Sequence, residues 1–94
     1  MPLTIQEAEA LAKEARDWKL SGDVRKISKE WKFKNFADAL VFANKVGAIA
    51  EEENHHPDLT VKWGSVTAEL STHAIGGLSE NDFILAAKID KLFR

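Results

Sequence analysis

The spacing of apolar and polar residues changes several times along the chain, and each change marks an element. Thr4 followed by Glu7 has the spacing of a capping box, and the Ala-, Glu- and Lys-rich stretch running to Ala15 has high helix propensity, so a first helix is expected there. Trp18-Lys19-Leu20 runs into Ser21-Gly22-Asp23, whose small and polar residues favour a turn, and this reads as a short strand ending in a hairpin. From Arg25 to Phe33 the odd positions include Ile27, Trp31 and Phe33, while Lys26, Ser28, Glu30 and Lys32 fill the even ones. A period of two gives a second strand with one buried face. Asn35 is placed to cap a long helix from Phe36 to about Glu53, in which Phe36, Leu40, Ala43, Val46, Gly47 and Ala50 recur at helical spacing. Pro57 stops that helix, because the residue before a proline is driven out of the α region and proline itself has no N–H to donate.

Beyond Pro57 the period returns to two. Leu59, Val61 and Trp63 alternate, Gly64 permits a turn, and Val66, Ala68 and Leu70 alternate against Thr67, Glu69 and Ser71, giving a third and a fourth strand. Ile75-Gly76-Gly77-Leu78 reads as a flexible connection, and Ser79 with Asp82 reads as an N-cap signal before a third helix from Phe83 to Leu92. The order is α-β-β-α-β-β-α, with connections short enough to make each strand pair an antiparallel hairpin. The expected architecture is α+β: a four-stranded antiparallel sheet with three helices on one face, in a single domain over residues 1–94.

Composition narrows the function. A chain of 94 residues closes one core and leaves much of its surface exposed, so a homodimer or homotetramer would add stability. Thirteen basic and fifteen acidic residues give a net charge of −2, and the cations are scattered, which argues against direct nucleic-acid binding. The absence of cysteine rules out a disulfide framework and a thiolate metal cluster. No apolar run reaches membrane-spanning length and the first residues lack the pattern of a secretory signal, so a cytoplasmic location and no membrane partner are expected.

The candidate chemistry lies in His55, His56 and His73, all beside the ends of predicted elements, where rigid supports carry functional side chains. Histidine titrates near neutral pH and can move protons in both directions. Taken singly, each has a plainer explanation: a histidine after a helix satisfies free carbonyls, and Asp82 complements the dipole of the third helix. A zinc site built from the histidines and Asp82 is disfavoured, because adjacent residues in a helical turn project about 100° apart while chelation uses neighbours three or four apart. Gly76-Gly77 is an isolated pair rather than a phosphate loop, and Ser71 and Ser79 lack a nucleophile elbow. Trp18, Trp31 and Trp63 are expected in the core or at an interface.

Taken together, Glu51, His55-His56-Pro57-Asp58, Trp63, Ser71-Thr72-His73, Gly76-Gly77-Leu78-Ser79 and Asp82 resemble the pterin-4a-carbinolamine dehydratase family. The similarity extends to Phe33-Lys34-Asn35-Phe36 and to the run from Ile84 to Asp90. The resemblance implies dehydration of a 4a-hydroxytetrahydropterin, produced by an aromatic amino acid hydroxylase, to quinonoid dihydropterin and water, without metal or organic cofactor. It implies that His55, His56 and His73 are catalytic, with His56 the principal acid/base. Asn54, Pro57, Ser71, Thr72 and Ala74 would bind the substrate, and Glu51 and Asp82 would orient the histidines. Asn54 and Asn81 stand where some relatives carry Asp and Arg, each change removing a charge. The resemblance also implies two alternatives: action on another pterin, such as one of molybdopterin metabolism, or a dimerisation module for a transcription factor, in which Val41, Phe42 and Ile49 of the long helix would widen the association face.

Overall fold

A computed structural model of the chain describes residues 2–92. In chain order the elements are α1 (Ile5–Glu14), β1 (Lys19–Leu20), β2 (Ile27–Lys32), α2 (Phe36–Glu53), β3 (Asp58–Lys62), β4 (Ser65–Leu70), a short 3-10 turn (His73–Ile75) and α3 (Glu80–Leu92). The strands form one antiparallel sheet in the order β1-β2-β4-β3. Both expected hairpins are present. Between them β2 pairs with β4 over its whole length, from Ile27 opposite Leu70 to Lys32 opposite Ser65.

That register sorts the side chains. Ile27, Trp31, Val66, Ala68 and Leu70 lie on one face and are buried, with Leu59 and Val61 beside them half-buried. The helices cover this face, to which α2 contributes Ala39, Phe42 and Val46 and α3 contributes Phe83, Leu85, Ala86 and Ile89. The opposite face bears Lys19, Ser28, Glu30, Lys32, Thr60, Lys62, Thr67 and Glu69, as alternation requires of a face left to water. Aromatic rings bind the layers together: Trp31 meets Trp18 edge-on at 5.5 Å and Phe42 at 4.9 Å between centroids.

Lys29 breaks the apolar alternation of β2, and its partner explains why. It lies on the helix-covered face between Ile27 and Trp31, where its Nζ donates to Asp90 Oδ1 of α3 at 2.8 Å. The second oxygen of Asp90 accepts the Trp18 indole N–H at 3.1 Å. A lysine among apolar neighbours is thus paired, and the pair joins β2, α3 and the segment before β1.

The structure departs from the sequence expectations at three places. The buried stripe of α2 is Ala39, Phe42, Val46 and Ala50, so Phe36 and Leu40 are not core residues but stand 45% and 40% exposed. Phe42, expected to widen an association face, instead packs on Trp31 and Phe33 and is 4% exposed. α3 starts at Glu80 rather than Phe83, since Ser79 N–H donates to Asp82 Oδ2 at 2.9 Å and ties down the first turn. The expected core-or-interface position holds within the fold for Trp18 and Trp31, whereas Trp63, at the β3–β4 turn, is 69% exposed. No helix among the described residues is long and apolar enough to cross a membrane.

Replacing Phe42 with Ala should cost about 3–5 kcal/mol of stability, the range for deleting a large buried ring. Val41→Ala, on the exposed side of the same helix, should stay within about 0.5 kcal/mol. Urea unfolding followed by circular dichroism measures both.

Candidate active site

The chain leaves α2 through Asn54, whose backbone is left-handed at φ 52° and ψ 41°. Asparagine tolerates this conformation better than most residues, and here its N–H donates to the Ala50 and Glu51 carbonyls while His55 N–H donates to Ala50 O at 3.1 Å. The helix is therefore closed at Asn54, before Pro57 acts on the chain, and the two histidines follow the cap rather than continue the helix.

His55 turns inward to Asp82. Its Nε2 lies 2.5 Å from Asp82 Oδ1, and the imidazole is 16% exposed while the carboxylate is wholly buried. The other carboxylate oxygen accepts Thr72 Oγ1–H at 2.9 Å and Ser79 N–H at 2.9 Å. Because Thr72 donates its hydroxyl hydrogen to Asp82, the 2.7 Å contact between Ser79 Oγ and Thr72 Oγ1 makes Ser79 the donor. Hydrogen bonds thus converge on Asp82 from three segments. As an ionised carboxylate only accepts, His55 donates Nε2–H to it and turns Nδ1 away from Asp82.

His56 faces the other way. Its Nε2 is hydrogen-bonded to Glu51 Oε2 on the last turn of α2, and both side chains are exposed, at 56% and 77%. Each of the two adjacent histidines therefore has its own carboxylate, one buried and one in water.

His73 opens the 3-10 turn after β4 and is exposed. The Gly-Gly connection that follows is not flexible in the way its composition implied. Thr72 and Gly77 pair as an antiparallel bridge, Gly76 occupies the left-handed region at φ 69°, and a Cβ on Gly77 would lie 2.9 Å from Pro2 Cβ. Leu3 N–H also donates to Leu78 O at 2.8 Å, so the N-terminal segment clamps this loop.

Of the site residues expected from sequence, the structure brings His55, Asp82 and Thr72 into one network and joins His56 to Glu51. Ser71 and His73 share the wall of a cleft of about 270 Å³. Asn54 caps α2, Pro57 is half-buried just before β3, and Ala74 is exposed in the 3-10 turn. Thr72, expected at the substrate, has its hydroxyl engaged by Asp82 and Ser79 and so also supports His55. Sequence reasoning placed Ser79 only as a helix cap and did not bring in Asp23, Arg25 or Lys26, which line the cleft with His73. Among the described residues no group of three or more His, Cys, Asp or Glu is arranged to hold a metal ion.

Comparison with known proteins places the chain in a family. The family model described as pterin 4 alpha carbinolamine dehydratase matches residues 1–92. Relatives named for the same dehydratase include one from Methylococcus capsulatus, 48% identical, with the match covering 97% of this chain and 80% of that protein. Another, from Rickettsia canadensis, is 49% identical, covering 95% of this chain and 82% of its own. A crystal structure of a transcriptional coactivator/pterin dehydratase from Brucella melitensis superposes with a TM-score of 0.89 at 27% identity, over 97% of both chains. A pterin dehydratase-like protein described as a RuBisCO assembly factor of the alpha-carboxysome shares the fold, with a TM-score of 0.69 at 23% identity, over 82% of this chain and 89% of that one. The chain belongs to the pterin-4a-carbinolamine dehydratase family.

Asp82→Ala should destabilise the protein by about 3–5 kcal/mol, because it removes the shared partner of His55, Thr72 and the Ser79 N–H within a buried network. Thr72→Val should cost about 1–3 kcal/mol, as one buried donor is lost and Ser79 loses its acceptor. Chemical denaturation at neutral pH checks the order of the two.

Proposed function

We infer that the protein is a hydro-lyase that dehydrates 4a-hydroxytetrahydrobiopterin to quinonoid dihydropterin and water, in the recycling of tetrahydrobiopterin. The observation that carries this reading is the buried Asp82, which holds His55 in one orientation beside His56 within a chain matched to the dehydratase family almost end to end. In the reaction the C4a–O bond breaks, the N5–H proton leaves, and the electrons of the N–H bond form the C4a–N5 double bond. Hydroxide is a poor leaving group, so an acid must deliver a proton to the departing oxygen while a base takes the proton from N5. Paired imidazoles meet both needs near neutral pH.

The division of labour we propose gives His56 the principal acid/base role. Its imidazole reaches solvent and can exchange its proton with water, and Glu51 holds it by a hydrogen bond. His55, fixed by Asp82, and His73, at the cleft, handle the second proton and the pterin ring. Asn54, Pro57, Ser71 and Ala74 would shape the ring pocket. An aromatic amino acid hydroxylase is the class of enzyme that supplies the substrate. A cytoplasmic location suits this exchange.

Self-association belongs to the same reading. Phe36, Leu40 and Val41 project from α2 at 45%, 40% and 53% exposure, an apolar patch on the side turned away from the core. A second copy of the chain is its proposed cover, giving a homodimer or homotetramer. The Brucella relative, described as both coactivator and dehydratase, makes a protein partner on this surface the second reading.

The decay of a 4a-hydroxytetrahydropterin, followed by stopped-flow absorbance, should accelerate with wild-type protein, and His56→Ala should lower the turnover number by about a hundredfold, the low end of general acid–base contributions. An unaccelerated decay with folded wild type would overturn the dehydratase reading. For the association face, Val41→Glu should lower the mass measured by light scattering while leaving the thermal unfolding cooperative; an unchanged mass would remove that patch from the interface.

A further inference from the structure

The cleft that holds His73 has a second wall, built by the β1–β2 turn. Ile27 pairs with Leu70 in the antiparallel β2–β4 ladder, so the residues before Ile27 lie beside those after Leu70. Asp23, Arg25 and Lys26 therefore face Ser71, His73 and Gly76 across about 270 Å³. Whole-ligand pockets run to about 300–1,000 Å³, so this space suits part of a ligand.

The turn is built more tightly than a simple connection demands. Ser21 Oγ donates to Asp23 Oδ1 at 2.6 Å and accepts the N–H groups of Arg25 and Lys26, both at 3.1 Å. Asp23 Oδ1 also accepts Arg25 N–H at 3.1 Å. Ser21 N–H donates to Lys26 O and Val24 N–H to Ser21 O, each at 2.9 Å. Between Asp23 and Arg25, Val24 is held at φ 58°, a left-handed conformation that is costly for a β-branched residue. The strain is sustained by the surrounding hydrogen bonds, and it fixes the direction in which the chain presents Arg25.

The charges of the turn are unequally engaged. The Asp23 carboxyl is held below its usual range, first by the Ser21 hydroxyl and then by the Arg25 N–H, so it remains ionised as the anchor of the turn. Lys26 Nζ lies 3.8 Å from Glu69 Oε2. Arg25 forms no salt bridge among the described residues, although it feels the nearby Asp23 charge. A planar guanidinium at the wall of a polar cleft is suited to bidentate recognition of a carboxylate or a phosphate.

We propose that Arg25 is a specificity residue that binds an anionic group at the end of the pterin's 6-substituent, in the cleft between the β1–β2 turn and His73. The proposal rests on the reading that Ser71 and His73 lie against the pterin ring. Beside tetrahydrobiopterin, whose dihydroxypropyl tail is neutral, the cleft would admit pterins whose tail carries a carboxylate or a phosphate.

The test uses stable, oxidised pterins and the full-length protein. Affinities of 6-methylpterin, 6-carboxypterin and the phosphate ester of 6-hydroxymethylpterin are measured from pterin fluorescence at low ionic strength, for wild type, Arg25→Gln and Arg25→Lys. At least one anionic pterin should bind wild type about tenfold more tightly than 6-methylpterin, and which one does so identifies the group. Arg25→Gln should abolish that preference without weakening 6-methylpterin, and Arg25→Lys should keep part of it. Equal affinities in wild type, or a preference that survives in Arg25→Gln, would overturn the proposal. Decay of the 6-methyl 4a-carbinolamine, which has no anionic tail, reports separately on the dehydratase reading: selective binding without acceleration would defeat that reading and leave the Arg25 assignment standing.

Discussion

A carboxylate with no exposure to water organises the histidine end of this molecule. Burying an ionised group without partners costs several kcal/mol or more, so Asp82 is compatible with the fold only when donors surround it. They come from three segments: His55 from the stretch joining α2 to β3, Thr72 from the end of β4, and Ser79 from the residue preceding α3. Any movement of one segment away from the others would leave a buried oxygen short of a hydrogen bond. The requirement that stabilises the interior is also the one that aims the His55 ring. Orientation of the proposed catalytic group is thereby coupled to the stability of the whole domain.

A second, half-buried pair performs a comparable task at a different place. Lys29 and Asp90, joined by the Trp18 indole, hold β2 to α3 on the helix-covered face of the sheet. Lys29 also lies 5.4 Å from the Trp31 ring, an arrangement in which the cation gains from the aromatic face as well as from the carboxylate. α3 is thus fixed by Asp82 in its first turn and by Asp90 near its end. Apolar packing of Phe83, Leu85, Ala86 and Ile89 fills the length between. Dispersion and the hydrophobic effect are nondirectional, whereas the two carboxylates set rotation and register.

Most of the architecture was legible in the chain, for reasons that differ by element. Local signals were reliable where one residue does one job: Thr4 with Glu7 forms the capping box of α1, and Asn35 accepts the Asp38 N–H at 2.7 Å to start α2. The period of two placed β2, β3 and β4, while the turn residues after Leu20 marked β1. The face of α2 was read less well, because Phe36, Leu40 and Val41 are as apolar as the core and periodicity alone cannot tell a buried stripe from an exposed one. The histidines and Asp82 were found through their motif. What was not legible was pairing across long separations, such as the 27 residues between His55 and Asp82 and the 61 between Lys29 and Asp90. The β2–β4 pairing was not inferred either, and it alone brings Arg25 beside His73.

The contrast between His55 and His56 follows from the surroundings of their partners. An ion pair or charge-assisted hydrogen bond in water is weakened by screening and by the entropy of ordering its side chains, whereas a buried one is held by the cost of leaving either group unpaired. His56 and Glu51 are both exposed, so their bond can open and close without disturbing the fold. His55 cannot leave Asp82 without stranding a carboxylate in the interior. The division of labour proposed above uses both behaviours: one imidazole that exchanges its proton with solvent between turnovers, and one that keeps its position while charge develops on the substrate. The fold separates two adjacent histidines into these environments by ending α2 at a left-handed asparagine, which turns the chain just before them.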